Sequence, residues 1–233
     1  MSDIGRFLSL NNVSASQEQI SLLEAYQNIL LEKSAEMNLT AIKDPQESAL
    51  KNITDSALAA GYLKGKTLLD VGSGAGLPAF PIAILRPDIS VTALDATGKK
   101  VAFINETAQK LGLSNLKAVC ARAEDFAKGE NREAFDLVTA RAVANMTVLC
   151  EICLPFVKIG GRFVALKGPL GEDELNEAKS CISQLGGLPV SSDSVPLLGG
   201  EEQTRTIIVV KKVKPTPEAF PRSWAKITKH PMK

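Results

Sequence analysis

The sequence has no apolar run long enough to cross a membrane. A transmembrane helix needs about 18 or more consecutive apolar residues, and no stretch of this chain reaches that length. The amino terminus also lacks a basic region followed by an apolar block, which is the pattern of a secretory signal. Apolar residues make up 45% of the chain and charged residues 23%, a balance typical of globular proteins. These features predict a soluble, cytoplasmic protein with no membrane partner.

Histidine and cysteine are scarce, which argues against a metal centre. The only histidine is His230, near the carboxyl terminus, and the four cysteines include a single Cys-x-x-Cys pair, Cys150 and Cys153. A zinc site needs two more ligands at comparable spacing, and the sequence does not offer them. We therefore expect no metal and interpret the pair as small apolar residues on one face of a helix, with metal or redox chemistry as the less favoured alternative.

Positive charge is concentrated at the carboxyl terminus. The whole chain carries a formal charge of +1, whereas residues 211–233 hold seven basic residues against one acidic residue, which gives +6 for the tail and −5 for the rest. The basic residues of the tail are Lys211, Lys212, Lys214, Arg222, Lys226, Lys229 and Lys233. Such a tail favours an anionic partner, and a solvated, disordered end is the equally open alternative.

The first 60 or so residues have a helical pattern. Apolar residues recur along Gln17–Met37 at the spacing of an amphipathic helix. Asp44 and Glu47 are spaced as a capping box at the start of a second helix, which we expect to run to about Ala60. This segment therefore predicts a helical extension.

Beyond Lys66, strands and helices alternate. Predicted strands cover Thr67–Val71, Ser90–Asp95, Leu116–Ala121, Phe135–Thr139, Arg162–Gly168 and Thr204–Lys212. Predicted helices cover Pro81–Leu85, Thr97–Leu111, a stretch ending near Phe156, and Glu172–Leu185. This alternation predicts an α/β fold with a mostly parallel, doubly wound sheet. We expect a helical extension over 1–62, a core over 63–213 and a basic tail over 214–233, within one structural domain.

A glycine-rich loop follows the first predicted strand. Asp70 lies at the end of that strand, and Gly72, Gly74 and Gly76 come directly after it. Glycines let the backbone turn sharply and let a ligand approach closely, and ligands of parallel sheets bind beyond the carboxyl ends of the strands. Asp95 ends the next strand, where a carboxylate can accept hydrogen bonds from both ribose hydroxyls of an adenosine cofactor.

Two adenosine cofactors are compatible with this loop. Gly74 to Ala79 formally matches the dinucleotide pattern G-x-G-x-x-G/A, but Pro78 and Pro81 offer no N–H groups to a pyrophosphate. Asp70 lies close enough in sequence to help hold a cationic group. The loop therefore favours S-adenosylmethionine, which has a sulfonium and an ammonium but no phosphates; a nicotinamide dinucleotide and a loop without ligand are the alternatives.

Several motifs, in order along nearly the whole chain, resemble one family. They are Asn38-Leu39-Thr40, Asp55-Ser56, Asp70–Pro78 (DVGSGAGLP), Leu94-Asp95, Lys99, Ala140-Arg141-Ala142 and Ala165-Leu166-Lys167-Gly168. The ending FPRSWAKITKHPMK is similar to the family's Y-P-R-K-P-G-x-P-x-K-x-P. The family is that of the bacterial small-subunit ribosomal RNA guanine-N7 methyltransferases, also called glucose-inhibited division protein B.

The resemblance implies a Rossmann-like class I methyltransferase that uses S-adenosylmethionine. Carried over by position, its cofactor contacts are Gly72, Leu77, Ala123, Glu124 and Arg141, which join Asp70, Gly74, Gly76 and Asp95 from the loop argument. The residues expected to act near the RNA or the cofactor, our candidate catalytic set, are Arg122, Arg141, Lys167 and Arg205.

The implied reaction is methyl transfer to N7 of a guanine in small-subunit (16S) ribosomal RNA. Guanine N7 carries a free lone pair at neutral pH and needs no general base, which agrees with the lack of a core histidine. The partner is ribosomal RNA or the small ribosomal subunit, and we expect a monomer. The alternatives are a methyltransferase for a small molecule or a protein, a nicotinamide oxidoreductase, and an RNA-binding protein without catalysis.

Overall fold

A mixed sheet forms the centre of the molecule. The computed structural model describes residues 2–141, 144–201 and 203–232, so Ala142 of the quoted motif and Lys233 of the tail lie outside the described residues. The strands are β1 (Thr67–Val71), β2 (Ser90–Asp95), β3 (Leu116–Cys120), β4 (Phe135–Arg141), β5 (Val157–Lys167), β6 (Gly187–Leu197) and β7 (Gln203–Lys212). Their spatial order is β3-β2-β1-β4-β5-β7-β6. Strands β1 to β5 pair in parallel, and β7 and β6 complete the sheet in antiparallel pairing.

Helices cover the sheet and form the amino-terminal segment. The α-helices are α1 (Asp3–Leu10), α2 (Gln17–Met37), α3 (Pro45–Ser48), α4 (Asp55–Ala57), α5 (Ala79–Leu85), α6 (Gly98–Lys110), α7 (Ala123–Phe126), α8 (Met146–Cys153), α9 (Gly171–Gln184) and α10 (Trp224–Lys229). Shorter 3-10 segments lie at Leu58–Tyr62, Gly129–Asn131 and Leu154–Phe156. The expected α/β fold is confirmed. In the part of the chain that the structure describes, no helix has the length and apolarity to cross a membrane.

The strand order creates a crevice above β1. The chain leaves β1 for β2 on one side and returns later to β4 on the other, so two neighbouring loops diverge at the carboxyl edge of the sheet. Such a reversal of strand order is where open α/β sheets bind ligands. Four of the five residues of β1 are buried, because helices cover both faces of this central strand.

The amino-terminal segment packs on the sheet rather than standing apart. Its apolar side chains, among them Phe7, Tyr26 and Ile53, share one core with Leu68 of β1. The helix predicted after Asp44 does begin at Pro45, with the Asp44 side chain accepting from the Glu47 N–H at 2.7 Å. The chain stays helical through Tyr62, but Ala49–Thr54 forms a π-helical segment.

Strand β6 was not predicted. Its sequence, GLPVSSDSVPL, contains two prolines and several polar residues, which favour a loop. The strand forms because it lies at the edge of the sheet and pairs with β7 alone. An edge strand tolerates proline, since its outward N–H groups need no partner strand.

The basic tail folds against the body. Arg222 makes an ion pair with Glu151 at 2.6 Å, and Glu151 is 1% exposed. Arg132 donates to the carbonyl oxygens of Thr216 and Phe220 at 2.6 and 2.8 Å. Ile227 of α10 is fully buried. These contacts anchor Thr216, Phe220, Arg222 and Ile227 to the body, so this part of the tail is not a free solvated end.

Candidate functional site

Two cavities open along the carboxyl edge of the sheet. The first cavity, about 260 Å³, is lined by residues that include Gly72, Asp95, Arg122, Ala123, Glu124 and Trp224. The second cavity, about 250 Å³, is lined by Asp55, Arg141, Leu166, Lys167, Gly168, Glu174 and Arg205. The first lies over the ends of β1, β2 and β3, and the second lies over β4, β5 and the start of β7. The predicted site residues therefore divide into two neighbouring groups.

The glycine loop passes above β1 in a left-handed conformation. Gly72, Gly74 and Gly76 have φ angles of 71°, 60° and 91°, a region that side chains strongly disfavour. A Cβ atom at Gly76 would overlap the Phe80 ring, whereas Gly74 has open space around it. Gly76 is therefore required for packing, and Gly74 for the turn and the open surface beside it.

The amino-terminal segment packs against this loop through Tyr26. The Tyr26 hydroxyl donates to the Ala75 carbonyl at 2.9 Å, and the Tyr26 ring stacks on Phe80 at 4.2 Å between ring centroids. Burial raises the pKa of Tyr26 well above its usual value, so the hydroxyl keeps its proton and its donor role. Leu77 is buried within the same core.

Two backbone N–H groups hold the Asp95 carboxylate at the mouth of the first cavity. One carboxylate oxygen accepts from the Gly74 N–H at 2.9 Å, and the other accepts from the Thr97 N–H at 2.8 Å. A carboxylate oxygen has room for a second donor, so both oxygens can still accept a hydrogen bond. The side chain is thus fixed in place with acceptor capacity left for two neighbouring hydroxyls.

Helix α7 supplies the opposite wall of the first cavity. Ala123 and Glu124 form its first turn, directly after β3, and both are half-buried. Among the described residues, the side chains of Glu124 and of the exposed Arg122 have no hydrogen-bond or ion-pair partner. Their charged groups are therefore available to a ligand. Arg122, expected to act with the other candidate catalytic residues, lines the first cavity instead of the second.

Asp70 is fully buried beneath the loop and is not among the residues lining the first cavity. Its carboxyl accepts hydrogen bonds from the Ser73 hydroxyl at 2.5 Å and the Thr139 hydroxyl at 2.9 Å. Burial raises the pKa of Asp70 to about 6, against the hydrogen bonds that favour its charged form. Through these two hydrogen bonds the Asp70 side chain connects β1, the glycine loop and β4. Contact with a cofactor stays a prediction.

The second cavity is organised around one carboxylate. Asp55 accepts from the Arg205 Nε at 3.0 Å and faces the Arg141 Nη1 at 3.4 Å. Arg141 also donates to the Lys51 carbonyl at 2.9 Å, within the π-helical segment. The side chains of Asp55, Arg141 and Arg205 are 11%, 17% and 18% exposed, so the group is largely shielded from water. Widened helical turns of this kind recur at functional sites.

Lys167 forms the other side of the second cavity. Its Nζ lies 2.7 Å from the Glu174 carboxylate and donates to the Ala144 carbonyl at 2.8 Å. Glu174 also accepts from the Met146 N–H at 2.8 Å, which ties α8 and α9 to the end of β5. Three cations thus face two carboxylates around this cavity, which leaves a positive excess for an anionic ligand.

The sequence predicted only some of the residues that line the two cavities. Glu174 and Trp224 were missed as lining residues, and Asp55 was noted as a motif without a role. Gly74, Gly76 and Leu77 shape the loop but are not among the residues lining the first cavity. Arg141 lies with the second cavity rather than the first. The roles of all these residues stay predictions.

The cysteines do not form a ligand cluster. Cys150 and Cys153 are fully buried in α8, and burial raises the pKa of both thiols well above the usual value. Over residues 2–141, 144–201 and 203–232, no group of three or more His, Cys, Asp or Glu side chains is placed to hold a metal ion. The pair behaves as small apolar core residues.

Comparison with known proteins identifies the family. The model of the GidB family, described as rRNA small subunit methyltransferase G, matches residues 19–203. "Ribosomal RNA small subunit methyltransferase G" of Clostridium perfringens (strain 13 / Type A) is 45% identical over 212 residues, covering 89% of this chain and 88% of that protein. The protein of the same name from Lactobacillus delbrueckii subsp. bulgaricus (strain ATCC BAA-365 / Lb-18) is 42% identical over 231 residues, covering 97% and 96%.

Solved structures agree on the fold. The crystal structure of M. jannaschii TYW2 in complex with AdoMet superposes with a TM-score of 0.54 at 14% identity, covering 70% of this chain and 76% of that one. The structural likeness supports the fold, and the sequence matches extend over most of both chains. The chain belongs to the GidB family of rRNA small subunit methyltransferases G.

Proposed function

We propose that this protein transfers a methyl group from S-adenosylmethionine to N7 of a guanine in small-subunit (16S) ribosomal RNA. One observation carries the proposal. A cavity suited to a nucleoside and a cavity with excess positive charge lie next to each other on one edge of the sheet, in a chain of this family. The first would hold the methyl donor, and the second would receive the acceptor guanine.

The loop contacts favour a cofactor without phosphates. The N–H groups of Gly72 and Ser73 both donate to the Leu94 carbonyl, at 2.8 and 3.0 Å, and the Gly74 N–H donates to Asp95. A pyrophosphate needs free N–H groups at this point, as in dinucleotide-binding loops. Since these donors are already used within the chain, S-adenosylmethionine fits and a nicotinamide dinucleotide does not.

The first cavity offers complementary partners for an adenosyl group. Asp95 has acceptor capacity for the ribose hydroxyls, and Glu124 or a backbone group of α7 can meet the adenine edge. When bound, the cofactor supplies a methyl group that is already activated by the sulfonium. The protein has to align guanine N7 with that methyl group and to exclude water. Alignment of this kind can lower a barrier by roughly 7–11 kcal/mol.

The second cavity suits a guanine and its phosphates. Arginine commonly binds guanine at both O6 and N7. Because N7 must stay free to react, Arg141 and Arg205 are expected to contact O6 or a neighbouring phosphate, and Lys167 a phosphate. No general base is needed, and His230, the only histidine, lies exposed at the end of α10. The base has to leave its stack, at a cost of a few kcal/mol.

Exposed lysines of the tail lie on two different sides of the sheet. Lys226 and Lys229 are exposed on α10, whose Trp224 lines the first cavity, and neither has an ion-pair partner among the described residues. Lys211 and Lys214 are also exposed, but Lys211 pairs in register with Arg162 of β5, beside the amino-terminal half of β4, so it lies at the edge of the sheet away from both cavities. Lys212 and Arg222 are different, because they pair with Glu133 at 3.1 Å and Glu151 at 2.6 Å inside the molecule. The tail therefore offers fewer cations to RNA than its sequence predicts. Contacts to phosphate can offset the cost of extruding the base.

Within this proposal the protein acts in the cytoplasm, as a monomer, on the small ribosomal subunit or its RNA. The test is methylation of small-subunit ribosomal RNA from cells that lack this protein. The purified chain and labelled S-adenosylmethionine are added, and the product is digested and examined by mass spectrometry. We expect one 7-methylguanosine per RNA with the wild-type chain and none with Asp95→Ala. A methyl group on another atom, or transfer only to protein or small molecules, would contradict the proposal.

A further inference from the structure

The single tryptophan of the chain forms part of the wall of the first cavity. Trp224 begins α10 and lines the cavity beside Ile152, Ala123 and Glu124. It is 36% exposed, so part of the indole is open to a ligand in this cavity.

The tail holds this ring in place. Two residues before Trp224, the Arg222 guanidinium binds the buried Glu151 carboxylate at 2.6 and 2.7 Å, and the Arg222 N–H donates to the same group at 3.0 Å. Three residues after Trp224, Ile227 is fully buried against the core. Trp224 thus lies in an exposed stretch, 223–226, between two anchored residues that hold it at the cavity.

The walls of the first cavity differ in character. Asp95 supplies carboxylate oxygens on the side of β2, whereas Ile152 and Trp224 supply apolar surface on the side of α8 and α10. An adenosyl group has the same asymmetry, with ribose hydroxyls at one end and a flat aromatic base at the other. With the ribose at Asp95, the base points away from the polar wall and toward the apolar one.

We propose that Trp224 binds the adenine ring of the methyl donor by ring-to-ring contact, so that the carboxyl-terminal tail completes the cofactor site. The inference rests on the proposed function, because it takes an adenosyl cofactor to occupy the first cavity. Loss of one aromatic contact with a base typically weakens binding roughly tenfold to a hundredfold.

The experiment compares cofactor binding by full-length variants. Calorimetry with S-adenosylhomocysteine and with 5′-methylthioadenosine is run on the wild type, Trp224→Ala, Trp224→Phe and Ile159→Ala. Ile159 is a matched control, since it is an apolar side chain, 57% exposed, that does not line the first cavity. We expect Trp224→Ala to weaken both ligands about tenfold, at an unchanged melting temperature. Trp224→Phe should stay within about threefold of the wild type, and Ile159→Ala should bind as the wild type does.

Fluorescence gives a direct second measurement, because this is the only tryptophan in the chain. Its emission should shift when S-adenosylhomocysteine is added to the wild type, and should not shift with Asp95→Ala. Unchanged affinity of Trp224→Ala and unmoved emission, with tight binding by the wild type, would overturn this inference alone. The inference would also be overturned if RNA, but not the cofactor, shifted the Trp224 emission. It would be overturned as well if Trp224→Ala and Trp224→Phe lost cofactor affinity equally and both had a lower melting temperature, because Trp224 would then act only in the fold. If the wild type binds no S-adenosylhomocysteine, the proposed function itself fails.

Discussion

The first cavity is built largely from strand ends and backbone groups, whereas the second is built from charged side chains that come from distant parts of the chain. Around the first, Gly72, Ser73 and Gly74 use their N–H groups on Leu94 and Asp95. Around the second, Asp55 joins Arg141 and Arg205, which are 86 and 150 residues away in sequence. The first cavity, the methyl-donor side, is therefore organised mainly by neighbouring strand ends, with single contacts from Tyr26 and Trp224 of the terminal segments. The second cavity, the acceptor side, needs Asp55 of the amino-terminal segment between its two arginines.

This difference makes Asp95→Ala the variant with the largest expected effect. Removing the carboxylate takes away two charge-assisted hydrogen bonds to the ribose and releases the Gly74 N–H. Each such bond contributes about 1.5–3 kcal/mol, so affinity for S-adenosylhomocysteine should fall at least about a hundredfold. Calorimetry measures this, with Asp125→Ala as control, since Asp125 is an exposed carboxylate on α7 that pairs with Lys128. Equal affinity of Asp95→Ala and the wild type would show that Asp95 does not bind the ribose hydroxyls.

A matched pair of glycine substitutions examines the loop of the donor side. Gly76→Ala adds a methyl group that overlaps the Phe80 ring at a φ of 91°, so we expect the free energy of unfolding to fall by about 2–4 kcal/mol. Gly74→Ala adds the same group at a φ of 60° with open space around it, so the loss should be about 1–2 kcal/mol. Urea unfolding of both variants checks the order. A larger loss of unfolding free energy in Gly74→Ala than in Gly76→Ala would mean that the contact with Phe80 does not determine the conformation of the loop.

Asp55→Asn examines the acceptor side. The change keeps the side-chain shape but removes the charge between Arg141 and Arg205, so both guanidinium groups should shift. We expect kcat/KM with ribosomal RNA to fall roughly tenfold to a hundredfold, because small displacements of catalytic groups cost that much. Affinity for S-adenosylhomocysteine should change less than about threefold, because Asp55 does not line the first cavity.

The control for this variant is Asp88→Asn. It breaks another aspartate–arginine pair, Arg86–Asp88 at 2.9 Å, that lines neither cavity. It should leave both the methylation rate and the cofactor affinity unchanged. If Asp55→Asn lowered cofactor affinity as much as RNA methylation, the separation of the two cavities would be wrong.

The most gradual expected effect is the pH dependence due to Asp70, which lies between the two sides. Its pKa is about 6 in the folded chain, above the usual value for an aspartate, so the folded state holds the proton more tightly than the unfolded state does. Stability from this group is therefore present at low pH and is lost as the pH rises from about 4 to about 6. The loss is at most about 3 kcal/mol.

Asp70→Asn cannot titrate and should remove this contribution. The free energy of unfolding of both proteins is measured in urea without cofactor. As the pH rises from 4 to 7, the wild type should lose stability relative to Asp70→Asn. Other groups titrate equally in both proteins and cancel. A difference that stays constant with pH would show that Asp70 is ionised in the folded chain throughout that range.

Local sequence signals predicted the strands beneath the first cavity well. Strands β1 and β2 were bounded correctly, because each is a short apolar run with turn residues after it. Asp95 and Glu124 follow strand ends, and parallel strands bring their carboxyl ends to one edge, so their proximity was predictable from topology. The glycines marked the loop, although only the structure shows that Gly76 is needed for the Phe80 contact.

The acceptor side and the tail were less predictable, because both depend on contacts between distant segments. No local pattern pairs Asp55 with Arg205, and no pattern brings Glu174 beside Lys167. The tail's charge favoured an anionic partner or, equally, a solvated end, and no local pattern showed that Arg222 and Lys212 form ion pairs inside the molecule. The placement of Trp224 at the first cavity follows from that docking. β6 was missed because its prolines and polar residues are tolerated only at a sheet edge.

The most direct test of the two-cavity arrangement is a crystal structure of the full-length protein with S-adenosylhomocysteine. The account predicts that the adenosyl group fills the first cavity with both ribose hydroxyls on Asp95, and that the sulfur faces the second cavity past the glycine loop. A ligand bound elsewhere, or one whose sulfur points away from Arg141 and Lys167, would contradict it.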